Sequence, residues 1–86
     1  DPPEDCERYL RQAEPFRRTL SSINAAETCP QAQVMLNCVV AFWLFQLSKH
    51  QEALAMVAEA IEIVKAKPYT VCNPKMYVVH KHPTLQ

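Results

Sequence analysis

Apolar side chains recur along the first quarter of the chain at Cys6, Tyr9, Ala13, Phe16, Leu20 and Ile23, in steps of three and four residues. That spacing lines one face of a helix. Asp5 is a fitting N-cap, and Arg8, Arg11, Glu14 and Arg18 lie off the stripe, so the pattern predicts a helix over about residues 5–27. Pro15 falls inside it. A proline there withholds one backbone N–H and crowds the preceding turn, yet the stripe keeps its phase across the position, which predicts one helix kinked at Pro15 rather than two. Thr28-Cys29-Pro30 reads as a stop and restart, with Thr28 as the cap and Pro30 in the first turn of the next helix. This second helix, over about residues 31–47, is apolar on nearly every side from Val34 to Phe45. Such a helix is expected to be buried by its neighbours. Valines and aromatics also suit strands, but the length of the run decides for helix.

Ser48-Lys49-His50 is a short polar turn, with Ser48 as the expected cap of a third helix over about residues 51–65. Leu54, Val57, Ile61 and Val64 form its expected inner stripe, Glu52, Glu59 and Glu62 its solvated side, and Met56 and Ile63 a second, smaller apolar strip. From residue 66 to 86 the pattern changes. Pro68, Pro74 and Pro83 break helices, no acidic residue follows Glu62, and Lys67, Lys75, His80, Lys81 and His82 make the end basic. A strand over Met76–His80 would have no sheet to join. An extended tail laid over the helices is therefore expected, with Tyr69, Val71, Tyr77 and Val79 able to cover apolar surface. The fold class that results is all-α, a single domain of about three helices with a C-terminal tail.

Composition narrows the chemistry. The 86 residues include no Gly, so the glycine-rich phosphate loops of nucleotide-binding folds cannot be built, nor can the nucleophile elbow of the α/β-hydrolases. Nine basic side chains balance nine acidic ones. A nucleic-acid or anionic-membrane protein is usually basic, so neither partner is expected. The uncharged stretch Thr28–Ser48 contains an apolar run from Val34 to Phe45 broken by Asn37, shorter than the ~20 apolar residues of a membrane span.

Four cysteines in so short a chain suggest covalent staples, because a domain of this size buries only about 60% of its unfolded surface. Cys29 and Cys38 on one helical run would stand ~13 Å apart, beyond the ~7 Å that a disulfide allows between Cα atoms. Two connectivities remain: Cys6–Cys29 with Cys38–Cys72, or Cys6–Cys38 with Cys29–Cys72. Each bridge is worth roughly 2–4 kcal/mol. An even cysteine number and an Asp1 start, as signal-peptide removal would leave, fit an oxidising, secreted setting. A cytoplasmic protein with reduced cysteines is the alternative.

No catalytic or cofactor constellation emerges. Cys72, His80 and His82 lack the paired short spacings of zinc sites. Cys29 or Cys38 with His50 makes a poor nucleophile pair, because the apolar surroundings of Cys38 disfavour a thiolate. Glu59 and Glu62 read as a solvated helix face. Binding is the remaining role. Met56, Ile63 and Lys67, joined by the basic tail at Lys75, Lys81 and His82, form the expected face for a protein partner, and an uncovered apolar helix surface would also allow a homo-oligomer.

Residues Val34–Lys67 resemble one tetratricopeptide repeat. Ala41, Ala53 and Ala60 fall at its small positions, Leu44, Leu54, Val57 and Ile61 at its large apolar ones, and Ser48-Lys49-His50 at its turn. Asn37 stands where that family favours Trp, Ser48 replaces a usual Gly, and Pro68 comes about three positions late. Cys6 and Cys72 near the two ends of a small helical chain also resemble the cysteine placement of secretoglobins, from which Cys29, Cys38 and the long tail depart. The expected function is that of a secreted, disulfide-stapled helical protein binding a partner or receptor, as a toxin, pheromone, hormone-like ligand or immune modulator does. The tetratricopeptide resemblance implies instead an intracellular adaptor that cradles a partner segment. A carrier of a small apolar ligand is a third possibility and requires an enclosed cavity.

Overall fold

The computed structural model describes residues 3–68. Those residues form four helices: α1 (Pro3–Ser22), α2 (Ala25–Thr28), α3 (Pro30–Gln46) and α4 (His50–Ala66). The all-α expectation holds. The expected tail beyond residue 68 lies outside the described residues. Among those described, no helix is long and apolar enough to cross a membrane.

The first predicted helix divides in two. It runs unbroken through Pro15 and ends instead at Ile23-Asn24, where Asn24 adopts a left-handed backbone, φ 54°. Asn tolerates this conformation better than other residues with a Cβ, because its short polar side chain bonds locally. The single turn of α2 comes next. Thr28 closes α2 rather than capping α3: its hydroxyl donates back to the carbonyls of Ile23 at 2.8 Å and Asn24 at 3.3 Å. Cys29 takes the N-cap position of α3, and Pro30 opens that helix, where its missing N–H costs nothing.

A chain without glycine still ends α3 sharply. Ser48 takes φ 61°, the Ser48 N–H donates to the Phe45 carbonyl at 3.0 Å, and the Lys49 N–H reaches back to the Leu44 carbonyl at 2.9 Å. This is the paired closure that glycine usually makes possible. Ser48 therefore terminates α3 instead of capping the next helix, whose N-cap is Lys49.

α3 is the central element, with α1 on one flank and α4 on the other. Both neighbours run antiparallel to it. On the α1 side, Tyr9 stacks against Trp43 with ring centroids 5.2 Å apart, while Phe16 and Leu20 lie beside Ala32 and Met35 near the other end. On the α4 side, the ring of His50 lies against Phe45 and Asn37 reaches Met56 and Glu59. The core is small: Ala13, Val40, Ala41, Leu44 and Ala53, with Leu10, Leu36, Trp43, Met56 and Val57 packed against it.

Two expectations of facing are corrected. Helix α3 is not buried on all sides. Asn37, Val40, Ala41 and Leu44 point inward, whereas Met35, Val39, Phe42 and Phe45 stand exposed, because two flanking helices cover only part of its circumference. In α4 the predicted stripe is rotated. Ala53, Ala60 and Ile63 are buried, Met56 and Val57 pack on the core, and Leu54 and Ile61 are half exposed. Small alanines let α4 approach α3 closely, and the bulkier Leu54 and Ile61 at those positions would hold the helices apart. Met56 and Ile63 are thus interior contacts, not a second exposed strip.

The disulfide framework is also corrected. Cys6, Cys29 and Cys38 are free thiols, and both connectivities required Cys6 to join one of the other two. Cys6 is fully buried, one turn from Tyr9 and so near the Trp43 end of α3. Cys29 begins α3, ~21 Å away along the helix at ~1.5 Å per residue. Cys38 lies on the exposed side of α3. Cys72 lies outside the described residues.

The rotated α4 stripe predicts that Ile63→Ala lowers unfolding stability by about 2–4 kcal/mol in urea titrations, whereas Leu54→Ala costs under about 1 kcal/mol. Ser48→Gly is expected to raise stability by about 1 kcal/mol in the same titrations, by relieving the left-handed strain of a residue bearing a Cβ.

Candidate functional site

On one side of the molecule α1 and α4 diverge over α3 and leave an open trough of about 760 Å³. Its floor is apolar, made by Leu10 of α1, Val40 and Leu44 of α3, and Met56 of α4. Its walls are charged. The α1 wall carries Arg11, Glu14, Arg17 and Arg18, and the α4 side carries Lys49, Glu52 and Glu59. A second cleft of about 480 Å³ shares Glu14, Arg17, Arg18, Met56 and Glu59 with the first and continues it toward Asn24 and Ala25.

Asn37 organises one edge of this trough. The side chain is 1% exposed. Its amide NH₂ donates to the Met56 carbonyl at 3.0 Å and to the Glu59 carboxylate, and its oxygen accepts from the Gln33 amide at 2.8 Å. Both donors of the buried amide are used and its oxygen is engaged, so no polar atom of the side chain is left without a partner. Glu59 is thereby tethered, and Arg17 lies 3.5 Å from Glu14. Arg11, Arg18 and Lys49 make no ion pair among the described residues. Arg11 and Arg18 are seven residues apart and share one stripe of α1.

The opposite side of the molecule is apolar. Met35, Val39, Phe42 and Phe45 of α3 are 68%, 39%, 55% and 43% exposed, and Phe16 of α1 is 66% exposed. Phe16 lies in a shallow apolar depression with Met35, Leu36 and Val39. On α4, His50, Leu54 and Ile61 share a stripe, and His50 touches Phe45, which places Leu54 and Ile61 on the same side as the α3 aromatics and away from the trough.

Of the residues expected to bind a partner, the three described ones, Met56, Ile63 and Lys67, do not share one exposed face. Met56 forms part of the trough floor, Ile63 is buried, and Lys67 is paired with Glu27 of α2 at 3.0 Å. Lys75, Lys81 and His82 lie outside the described residues, as do His80 and Cys72. The trough cations stand where no site was expected, whereas the apolar outer face is an uncovered helix surface of the kind expected to allow a homo-oligomer, on α3 rather than on the Met56–Ile63 strip. Arg11 and Arg18 were legible as charges off the α1 stripe. Phe16, by contrast, belongs to the predicted inner stripe and nothing in its spacing marks it as exposed. Among the described residues no three His, Cys, Asp or Glu side chains converge as a metal-binding group. Compared with known proteins, the chain matches no family model, no curated protein and no solved structure.

The thiols supply a direct check on this geometry. In intact-mass labelling with iodoacetamide and no reductant, Cys29 and Cys38 are expected to react in the folded chain, and Cys6 only after denaturation. Rapid native labelling of Cys6, or protection of Cys38 in dilute protein, contradicts the packing described.

Proposed function

We propose that the chain is a non-catalytic helical interaction module that holds an acidic segment of a protein partner in the trough between α1 and α4. The observation that carries this reading is the trough itself: with Glu14 paired to Arg17 and Glu59 bonded by Asn37, its apolar floor is bordered by three cations with no ion-pair partner among the described residues, Arg11, Arg18 and Lys49, against the single unpaired carboxylate of Glu52. A cleft of this form offers apolar contact to one side of an extended segment and charge-assisted hydrogen bonds to its carboxylates. Arginine suits this role because its planar fork can engage a carboxylate with two parallel bonds.

Of the two settings weighed from the sequence, the adaptor with reduced cysteines is favoured over the disulfide-stapled secreted ligand. The free thiols of Cys6, Cys29 and Cys38 support that choice. So does the α3–α4 hairpin, in which Ala41, Ala53 and Ala60 are buried at the small positions of the tetratricopeptide pattern. A carrier of an apolar ligand draws no support from the trough, which is open to solvent and walled by charge.

The reading is tested with a panel of fluorescent peptides of graded acidity, measured by anisotropy. Acidic peptides are expected to bind, and more weakly as salt rises, because added ions screen exposed charge. The double variant Arg11→Glu, Arg18→Glu should weaken that binding at least tenfold while leaving helical circular dichroism unchanged. Equal affinity for acidic and neutral peptides, or an unchanged affinity in the double variant, removes the proposal.

A further inference from the structure

The outer face of α3 carries a pattern that the trough does not use. Gln31, Met35, Cys38, Phe42 and Phe45 recur in steps of four, three, four and three residues along the exposed side of the helix. That is the spacing of a seam that packs against another helix. The order also matches itself when reversed. About the level of Val40, Met35 exchanges with Phe45 and Cys38 with Phe42, so the four apolar seam positions map onto one another in both directions. We infer that two copies of this chain associate through this face, with the two α3 helices antiparallel and the two-fold axis passing midway between Cys38 and Phe42.

Three observations favour a second copy over an unrelated partner. First, a two-fold contact requires one patch to be complementary to itself, and the exchange of Met35 with Phe45 and of Cys38 with Phe42 supplies that: each seam side chain meets another apolar seam side chain across the axis. Second, the surface is large enough. At ordinary side-chain areas, the exposed fractions of Phe16, Leu54, Ile61 and the four α3 residues leave roughly 700 Å² of apolar side chain facing water. The largest apolar patch of a typical monomer is about 300–600 Å², and a stable interface takes about 800 Å² from each partner. Third, no charged residue lies between Thr28 and Ser48. Two α3 helices can therefore meet without like charges being brought together, while the face offers none of the charge pattern by which an unlike partner is usually selected. Phe16 borders the contact on the α1 flank, and Leu54 and Ile61 on the α4 flank. The trough lies on the opposite side of each copy and stays open, so this inference stands apart from the reading of the trough.

The test uses the full 86-residue chain, under reducing conditions, in sedimentation equilibrium. A mass twice the 9.8 kDa of one chain is expected. Phe42→Glu, and separately Met35→Glu, should raise the dissociation constant at least tenfold. Both residues are exposed, so helical circular dichroism should be retained, and the two variants check one another. A short bismaleimide applied to a Cys29→Ser, Cys72→Ser background should join two chains through Cys38, each maleimide adding one thiol across its double bond. Addition of Phe42→Glu to that background should abolish the cross-linked product. A chain that stays monomeric at high micromolar concentration overturns the inference. So does a dimer that neither variant weakens, or a full-length monomer that dimerises only after residues 69–86 are removed, which would assign the face to that segment.

Discussion

The structure depends on one buried amide. Helix α3 is apolar enough to pack against a neighbour in more than one way, since burial of apolar surface has no direction and α4 offers apolar residues around more than half its circumference. Asn37 removes that freedom. A buried amide without partners costs about 1–3 kcal/mol in proteins, and only one placement of α4 brings the Met56 carbonyl and the Glu59 carboxylate to it. That register sets the remaining contacts. Ala53 and Ala60 face α3, Leu54 and Ile61 turn outward, Met56 reaches the trough floor, and Glu59 is fixed at its edge.

The molecule is divided electrostatically as well as by burial. Among the described residues the charges lie on α1, α2 and α4 and on the caps of α4 at Lys49 and Lys67, while α3 has none. Because α3 is the floor of the trough on one side and the outer surface on the other, the two faces differ in kind. One presents paired and unpaired charges around a strip of apolar floor. The other presents aromatic and aliphatic side chains with little polar relief. Contacts made by the first are salt-sensitive and selective by charge, and contacts made by the second respond to temperature and solvent through apolar hydration.

The sequence carried the helical content and the separation of the elements, since the three- and four-residue spacings and Pro30 are strong local signals. It was misleading where tertiary packing chose between equivalent local options. On α4 both Leu54-Ile61 and Ala53-Ala60 are spaced for a helix face, and size suggested the former. Close approach of two backbones favours the latter, and that criterion exists only once the partner helix is in place. Cysteine number suggested bridges, but the antiparallel placement of α1 against α3 separates Cys6 from Cys29 by most of a helix. The trough was visible only in part. Arg11 and Arg18 stood off the stripe, but their position over Val40 and Leu44 depends on the long-range packing of α1. The exposure of Phe16 and Phe42 had no local signature, since apolar spacing does not say how many neighbours a helix will have.

Asn24 and Ser48 are both solvent-exposed and polar, and both hold a left-handed backbone that ends a helix and redirects the chain. A β-branched residue at either place would strain the turn that leads α1 into α2, or α3 into α4, even though no side-chain contact would be lost. Exposure is therefore a poor guide to mutational tolerance in this chain. Two of its surface positions are as restricted as its core, and by backbone geometry rather than by packing.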